Sequence, residues 1–265
     1  MELKLTVFSD IHIRIHPSPY VSDAESIMTP LERFQLILSE ARHSKADILL
    51  NLGDFCNSFE SDNEKIALDL WHTFSGTKIA VLGNHDSDLQ SKENYVEKMG
   101  MPSPYYRMKL SDMWEIIVLD SGNPTSLIDQ DQMGWFRETL LAVPKFCIVA
   151  IHGAVWRPVS PVYREVIAKA NQNAGYTKIS AFLFGHTHHT SVTVADGGTR
   201  YVEINSPSMR YDTTSRFYRS VPFANMTLYD DGNVTVNGFG EKNSWAVSSD
   251  ETWVPTDDLT YQASV

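Results

Sequence analysis

Residues 79–86, Ile79-Ala80-Val81-Leu82-Gly83-Asn84-His85-Asp86, decide how this chain is read. Four consecutive apolar residues suit a short strand buried on both faces. The glycine and three polar side chains that follow stand at its carboxyl end. Desolvating Asn, His and Asp together at the rim of a core is costly unless partners offset it. Partners in the same context recur: Asp10-Ile11-His12 after Leu3–Phe8, Gly53-Asp54 after Ile48–Leu52, Ile151-His152-Gly153 after the run from Phe146, and Gly185-His186-Thr187-His188 after Ala181–Phe184.

Between these strands the spacing turns helical. Thr29-Pro30-Leu31-Glu32 is a capping box with proline at the first helical position, and Leu31, Phe34, Ile37, Leu38 and Ala41 then repeat on one face. A second helix is predicted over 63–74, with Ile66, Ala67, Leu70, Trp71 and Phe74 on one face. Strand, helix, strand, helix, strand implies parallel pairing through right-handed crossovers, with polar strand ends converging on one crevice. Further on, the pattern predicts a weaker helix at Tyr95–Met99, a strand at Trp114–Leu119 and a helix at Asp129–Leu141 carrying Met133, Phe136, Leu140 and Leu141. A strand at Phe146–Ile151, a helix at Tyr163–Ala174 and a strand at Ala181–Phe184 follow. Beyond His188 only strands are expected: Ser191–Val194, Tyr201–Ile204, Ala224–Leu228 and Val234–Val236, the last two joined by a tight Asp231-Gly232-Asn233 turn. The expected class is α/β, with one domain over 1–240. Residues 241–265 lose periodicity and read as a tail packed on the surface or used in contacts of a homo-oligomer.

A chain of 265 residues, 42% hydrophobic, can bury a sizeable core. Its net charge of −11, from 22 basic and 33 acidic residues, disfavours long nucleic acid, which needs a basic stripe, yet admits a small anion where metal ions supply positive charge. The two cysteines build no disulfide framework. Cys147 reads as a buried small hydrophobe, and Cys56 as a neighbour of Asp54 or a thiolate ligand. The chain enters a strand without the charged and apolar regions of a signal peptide, and no stretch approaches a membrane span, so a soluble cytoplasmic protein is expected.

Of nine histidines, five fall in the strand-end blocks: His12, His85, His152, His186 and His188. Any one alone would read as an ordinary surface or core histidine; together, in one context, they supply complementary ligand types. Imidazole with carboxylate and amide oxygen suits zinc, manganese or iron, and Asp54 could bridge two ions through its two carboxylate oxygens. Such a pair, about 3.5–4 Å apart, activates a water for in-line attack on phosphorus.

The ordered set Asp-x-His, Gly-Asp, Gly-Asn-His-Asp, His and Gly-His-x-His resembles the calcineurin-like metallophosphoesterase superfamily, over about Phe8 to Asn205. The resemblance implies two packed mixed β-sheets flanked by α-helices, a four-layer α-β-β-α sandwich. It implies one divalent metal held by Asp10, His12, Asp54 and His188, and a second held by Asp54, Asn84, His152 and His186. His85 would face the substrate, stabilising charge or protonating the leaving oxygen. Serine/threonine protein phosphatases continue the second block with an aspartate and Arg-Gly; here Asn57 replaces the carboxylate that would partner the histidine. Purple acid phosphatases carry a tyrosine ligand there, an arrangement Asn57 excludes. The spacing is most similar to the class III cyclic-nucleotide-phosphodiesterase-like branch, as is Ile117-Val118-Leu119-Asp120-Ser121-Gly122 with Gln132 and Trp135 after it. That branch often has a His-His pair in the fourth block, where this chain has Ile151-His152.

The implied activity is hydrolysis of a small organic phosphodiester, with a phosphomonoesterase or a nuclease as alternatives on the same site. A non-catalytic module, as in a retromer subunit resembling this family, is the reading from another class; such proteins lose ligands or the substrate-facing histidine, and this chain keeps them all. Arg14 and His16 are candidate phosphate contacts, as are Arg210, Arg216 and Arg219 in an anion-binding lid, each set weighed against an ordinary solvated loop. Asn205 is a candidate second layer contact. His43 and His72 are expected on helix surfaces, and His189 is expected to point away because alternate strand residues face opposite sides.

Overall fold

The fold follows from a computed structural model that describes residues 2–13, 28–122, 127–154, 159–208 and 222–239, with the backbone of 244–247 and 253–256. Elements run β1 (Glu2–Phe8), α1 (Pro30–His43), β2 (Ile48–Asn51), α2 (Asp62–His72), β3 (Thr77–Ala80), α3 (Lys92–Met99), β4 (Tyr106–Lys109) and β5 (Trp114–Val118). They continue with α4 (Gln130–Ala142), β6 (Phe146–Ala150), α5 (Pro161–Ala174), β7 (Ile179–Phe184), β8 (Ser191–Ala195), β9 (Thr199–Glu203), β10 (Phe223–Tyr229), β11 (Val234–Phe239), β12 (Ser244–Val247) and β13 (Trp253–Thr256).

Two mixed sheets result, with strand orders β13-β12-β11-β10-β1-β2-β3 and β4-β5-β6-β7-β9-β8. The crossover segments α1 and α2 make β1, β2 and β3 parallel, whereas β10 returns antiparallel against β1. In the second sheet β5, β6, β7 and β9 are parallel and the edge strands β4 and β8 antiparallel. The expected two-sheet α/β architecture flanked by helices is the one observed. The strand β4 and the backbone strands β12 and β13, in the segment read as a tail, carry no pattern that announced them.

The continuous apolar runs divide by the period of two that a strand imposes. Ile116, Val118, Ile148, Ala150, Ala181 and Leu183 join the core shared with the first sheet, while Ile117, Val149, Phe182 and Phe184 pack with Met133 and Phe136 of α4 and Tyr163 and Ile167 of α5. Trp114 Nε1 donates across the stack to the Tyr229 carbonyl at 2.9 Å. The Thr29 capping box forms as expected, and a second one at Ser61 starts α2.

The face expected of α2 differs. Ile66 is exposed and Glu64 is buried instead, because its carboxylate caps the preceding turn. Leu141 on α4 is exposed too. Among the described residues no helix is long and apolar enough to cross a membrane.

Candidate metal centre

The five polar blocks meet because the chain keeps pairing past the strand ends. Asp10 N–H donates to the Gly53 carbonyl and His12 N–H to the Asp54 carbonyl, both at 2.9 Å, so the loops after β1 and β2 run on side by side. Gly185 N–H donates to the His152 carbonyl at 3.0 Å, joining the loops after β6 and β7. His186 N–H on Asp10 Oδ2, at 2.9 Å, links the two sheets' loops. This leaves no room for side chains: a Cβ on Gly83 would lie 2.2 Å from Asp54 Oδ1, and one on Gly185 1.9 Å from Ser9 Oγ.

The backbone bears the cost. Among the described residues eight non-glycine positions have positive φ, and five of them are Asp10, His12, Asp54, His186 and His188. Asp and His tolerate this region better than most residues, and such strain persists only where surrounding structure over-determines it.

Two groups of side chains follow. Asp10, His12 and His188 offer ligand atoms all within 4.8 Å of one another, and so do Asp54, His152 and His186. His188 Nε2 lies 3.2 Å from Asp10 Oδ1 and from His12 Nε2. Asp54 Oδ2 joins the groups, 3.2 Å from His152 Nε2 and 3.8 Å from His12 Nε2. Asp54 Oδ2 is the oxygen found near both groups, while Oδ1 accepts His85 N–H at 2.8 Å. His152 Nδ1 donates to the Leu52 carbonyl at 2.9 Å, which can only accept, so Nε2 is the nitrogen turned to the crevice.

Charge is concentrated here in groups that are mostly buried. Burial works against ionising Asp10, but the His188 and His152 charges outweigh it and hold the carboxyl down at about 2; Asp54 is held low in the same way, chiefly by His152. Burial works against protonating His152, yet Asp54 and Asp10 carry it up to about 10, whereas burial and the His152 charge push His186 down to about 4. The donor set fits dications: Asp10 Oδ1 and Asn84 Oδ1 are buried with no hydrogen-bond partner, a costly state that an ion bound there relieves.

The family model of calcineurin-like phosphoesterases matches residues 3–190, which take in all five blocks. The chain belongs to this family. A probable cyclic nucleotide phosphodiesterase of Vesicomyosocius okutanii is 21% identical over 211 residues, 76% of this chain and 85% of that protein. A dimetal phosphatase from Danio rerio superposes with a TM-score of 0.67 at 13% identity, over 93% of this chain and 99% of that one. A purple acid phosphatase from yellow lupin seeds superposes with a TM-score of 0.60 at 12% identity, over 94% of this chain and 54% of that one. The two structures share the fold. The chain is a metal-dependent phosphoric ester hydrolase of the calcineurin-like family, and the two ligand groups support a dinuclear divalent-metal site.

Several residues that shape this phosphoesterase site had no assigned role in the sequence. Asp86, quoted in the motif, is buried and accepts N–H bonds from Gly83, Asp54, Phe55 and Cys56 at 2.8–3.1 Å, tying the third block to the second. Burial and the Asp54 charge push its carboxyl up to about 7, against those four donors. Glu203 accepts from Thr187 and Ser191 and so holds the turn between His186 and His188. Ser121 Oγ accepts Gly153 N–H at 3.3 Å, and Ser206 Oγ donates to the Asp10 carbonyl at 2.7 Å beside buried Asn205. A serine or acid in a strand-end loop is too common a signal to have found them.

Cys56 is buried and belongs to neither ligand group, and burial and the Asp86 and Glu64 charges push its thiol up. His189 is exposed as expected but for another reason: it precedes β8, in a turn where its Nδ1 meets the Thr187 carbonyl. His43 and His72 are exposed on helices. Arg14, His16, Arg210, Arg216 and Arg219 lie outside the described residues.

Proposed function

We propose that this chain is a dinuclear phosphodiesterase acting on a small organic phosphodiester, a cyclic nucleotide or a compound like it. The single observation carrying this reading is Asp54 Oδ2 standing between two ligand groups, 3.2 Å from His152 Nε2 on one side and 3.8 Å from His12 Nε2 on the other. Asp10, His12, Asp54 and His188 hold one dication; Asp54, Asn84, His152 and His186 hold the other. Manganese, iron or zinc suits these donors. Bound there, two such ions neutralise phosphoryl oxygens and lower the pKa of an attacking water.

The chain's own residues do the rest. Asp54 Oδ1, by accepting His85 N–H, sets the backbone of His85 at the mouth of the crevice. The His85 ring stands edge-on to His12 with centroids 5.3 Å apart, partly exposed, where it can donate to an oxygen of the ester or the departing group. The preference for a diester draws on the likeness to the Vesicomyosocius okutanii protein.

Chelation is expected to abolish hydrolysis of bis(p-nitrophenyl) phosphate, and Mn²⁺ to restore it; full activity in metal-free protein rejects the reading. His85→Ala is expected to keep both metals by elemental analysis while kcat falls about 10²–10⁴-fold. Comparing mono- and diester rates, then cyclic nucleotides, decides the substrate class.

A further inference from the structure

The second block leaves His85 without the carboxylate expected from it. Asn57 stands there, its N–H bound to Glu64 Oε1 and its own Oδ1 buried without a hydrogen-bond partner. The chain nevertheless places a carboxylate on His85 from another direction. Residues His85–Ser87 form a 3₁₀ turn, and Asp88 N–H closes it on the His85 carbonyl at 3.2 Å. Side chains three apart eclipse in that geometry. Asp88 Oδ2 therefore meets His85 Nδ1, at 2.5 Å.

We propose that Asp88 is the positioning residue of His85: its carboxylate accepts a hydrogen bond from Nδ1–H and fixes the ring with Nε2 presented to the ester, so that the imidazolium form can donate its Nε2 proton to the leaving oxygen. This rests on the role given to His85 under Proposed function. The backbone of His85 is already pinned by Asp54 on one side and by the four-fold bonded Asp86 on the other. What remains free is the ring, and a nitrogen's role is set by the bond its partner makes. Both side chains are near 40% exposed (38% and 42%), so solvent screens the pair and its stabilisation of the fold is small. Orientation is what it contributes.

The test uses the Zn²⁺-loaded full chain and its variants H85A, D88A, D88E and H85A/D88A, with one diester that has a p-nitrophenolate leaving group and one with an alkoxide. D88A is expected to lower kcat about 10- to 100-fold on the alkoxide ester, less on the aryl ester, with KM within about twofold. D88E is expected to recover part of the loss. On the H85A background D88A should cost nothing more, the mark of two residues acting as one unit. Nitrogen-15 spectra of the histidines should show His85 Nδ1 protonated in the parent protein and a tautomer mixture in D88A. D112N, which breaks the exposed Lys109–Asp112 pair of the same i,i+3 spacing, is the control expected to be silent. Losses that multiply in the double variant, or a D88A protein with unchanged kcat and Nδ1 signal, overturn the proposal. An H85A enzyme as active as its parent overturns the role of His85 and that of Asp88 with it, even where the nitrogen spectrum still reports the pair.

Discussion

Two buried acidic regions adjoin in this molecule and are built on opposite terms. Against the turn after Asp54, Glu64 of α2 is fully buried and saturated: Oε1 accepts Asn57 and Ser58 N–H at 3.1 Å, and Oε2 accepts Ser61 N–H at 3.0 Å and Ser61 Oγ–H at 2.7 Å. Asp86 is saturated likewise by four backbone N–H groups. In the crevice, Asp10 is equally buried but keeps Oδ1 without a hydrogen bond, as Asn84 does its own Oδ1. Buried carboxylates that are fully bonded hold the chain in place. Those left open beside histidines are incomplete until a cation arrives.

Metal is the hardest strain on that contrast. Each dication at about 100 times its Kd adds about 2.7 kcal/mol. Two sites together should then raise the melting temperature by about 10–20 °C in a chain of this size. Asp54→Asn is expected to abolish most of the rise and of the hydrolysis, because Asp54 serves both groups. Thermal unfolding with and without Mn²⁺ measures it. An unchanged rise in that variant would place the bridging role elsewhere.

The saturated side should respond in the opposite sense. Asp86→Ala leaves four backbone donors in the interior and is expected to cost on the order of 4 kcal/mol in the metal-free protein. Urea unfolding reads this directly. A loss below about 1 kcal/mol would mean that water or a shifted loop replaces the carboxylate, and that Asp86 is not the tie between the second and third blocks.

How much of this was visible in the sequence follows the same divide. The crevice residues could be read because five blocks of unusual polarity repeat one context, each after an apolar run, and the period-two strands carry them to one place. The saturated acids could not. Glu64 sits at N3 of α2 behind Ser61, a capping box readable only once the helix start is known, and its burial displaces Ile66 from the face that spacing alone assigned to it. Asp88 was hidden by its distance in kind from the second block: nothing in composition shows that a 3₁₀ turn will fold it back onto His85. The positive φ of five site residues is likewise a product of the tertiary closure, since no local signal beyond Asp and His themselves marks it.

The smallest expected effect separates the two regions by pH. Burial opposes ionisation of Glu64, but its bonds from Ser61, Ser58 and Asn57 win and hold its carboxyl below the ordinary value of 4.5. A carboxyl whose folded pKa is depressed stabilises the fold fully above its unfolded pKa and loses that contribution as pH falls through the folded value. Metal-free Glu64→Gln is therefore expected to be less stable than its parent by about 1–3 kcal/mol at pH 7. The gap should narrow as pH falls below 4.5, where Glu64 of the unfolded parent takes up a proton before the folded one does. Every other titratable group is common to variant and parent, so to first order their contributions cancel in the difference. The Mn²⁺-dependent rise in melting temperature should be the same in variant and parent at pH 7. A variant that lost this rise would show that the saturated turn and the open crevice are one energetic unit, and the division between them would fall.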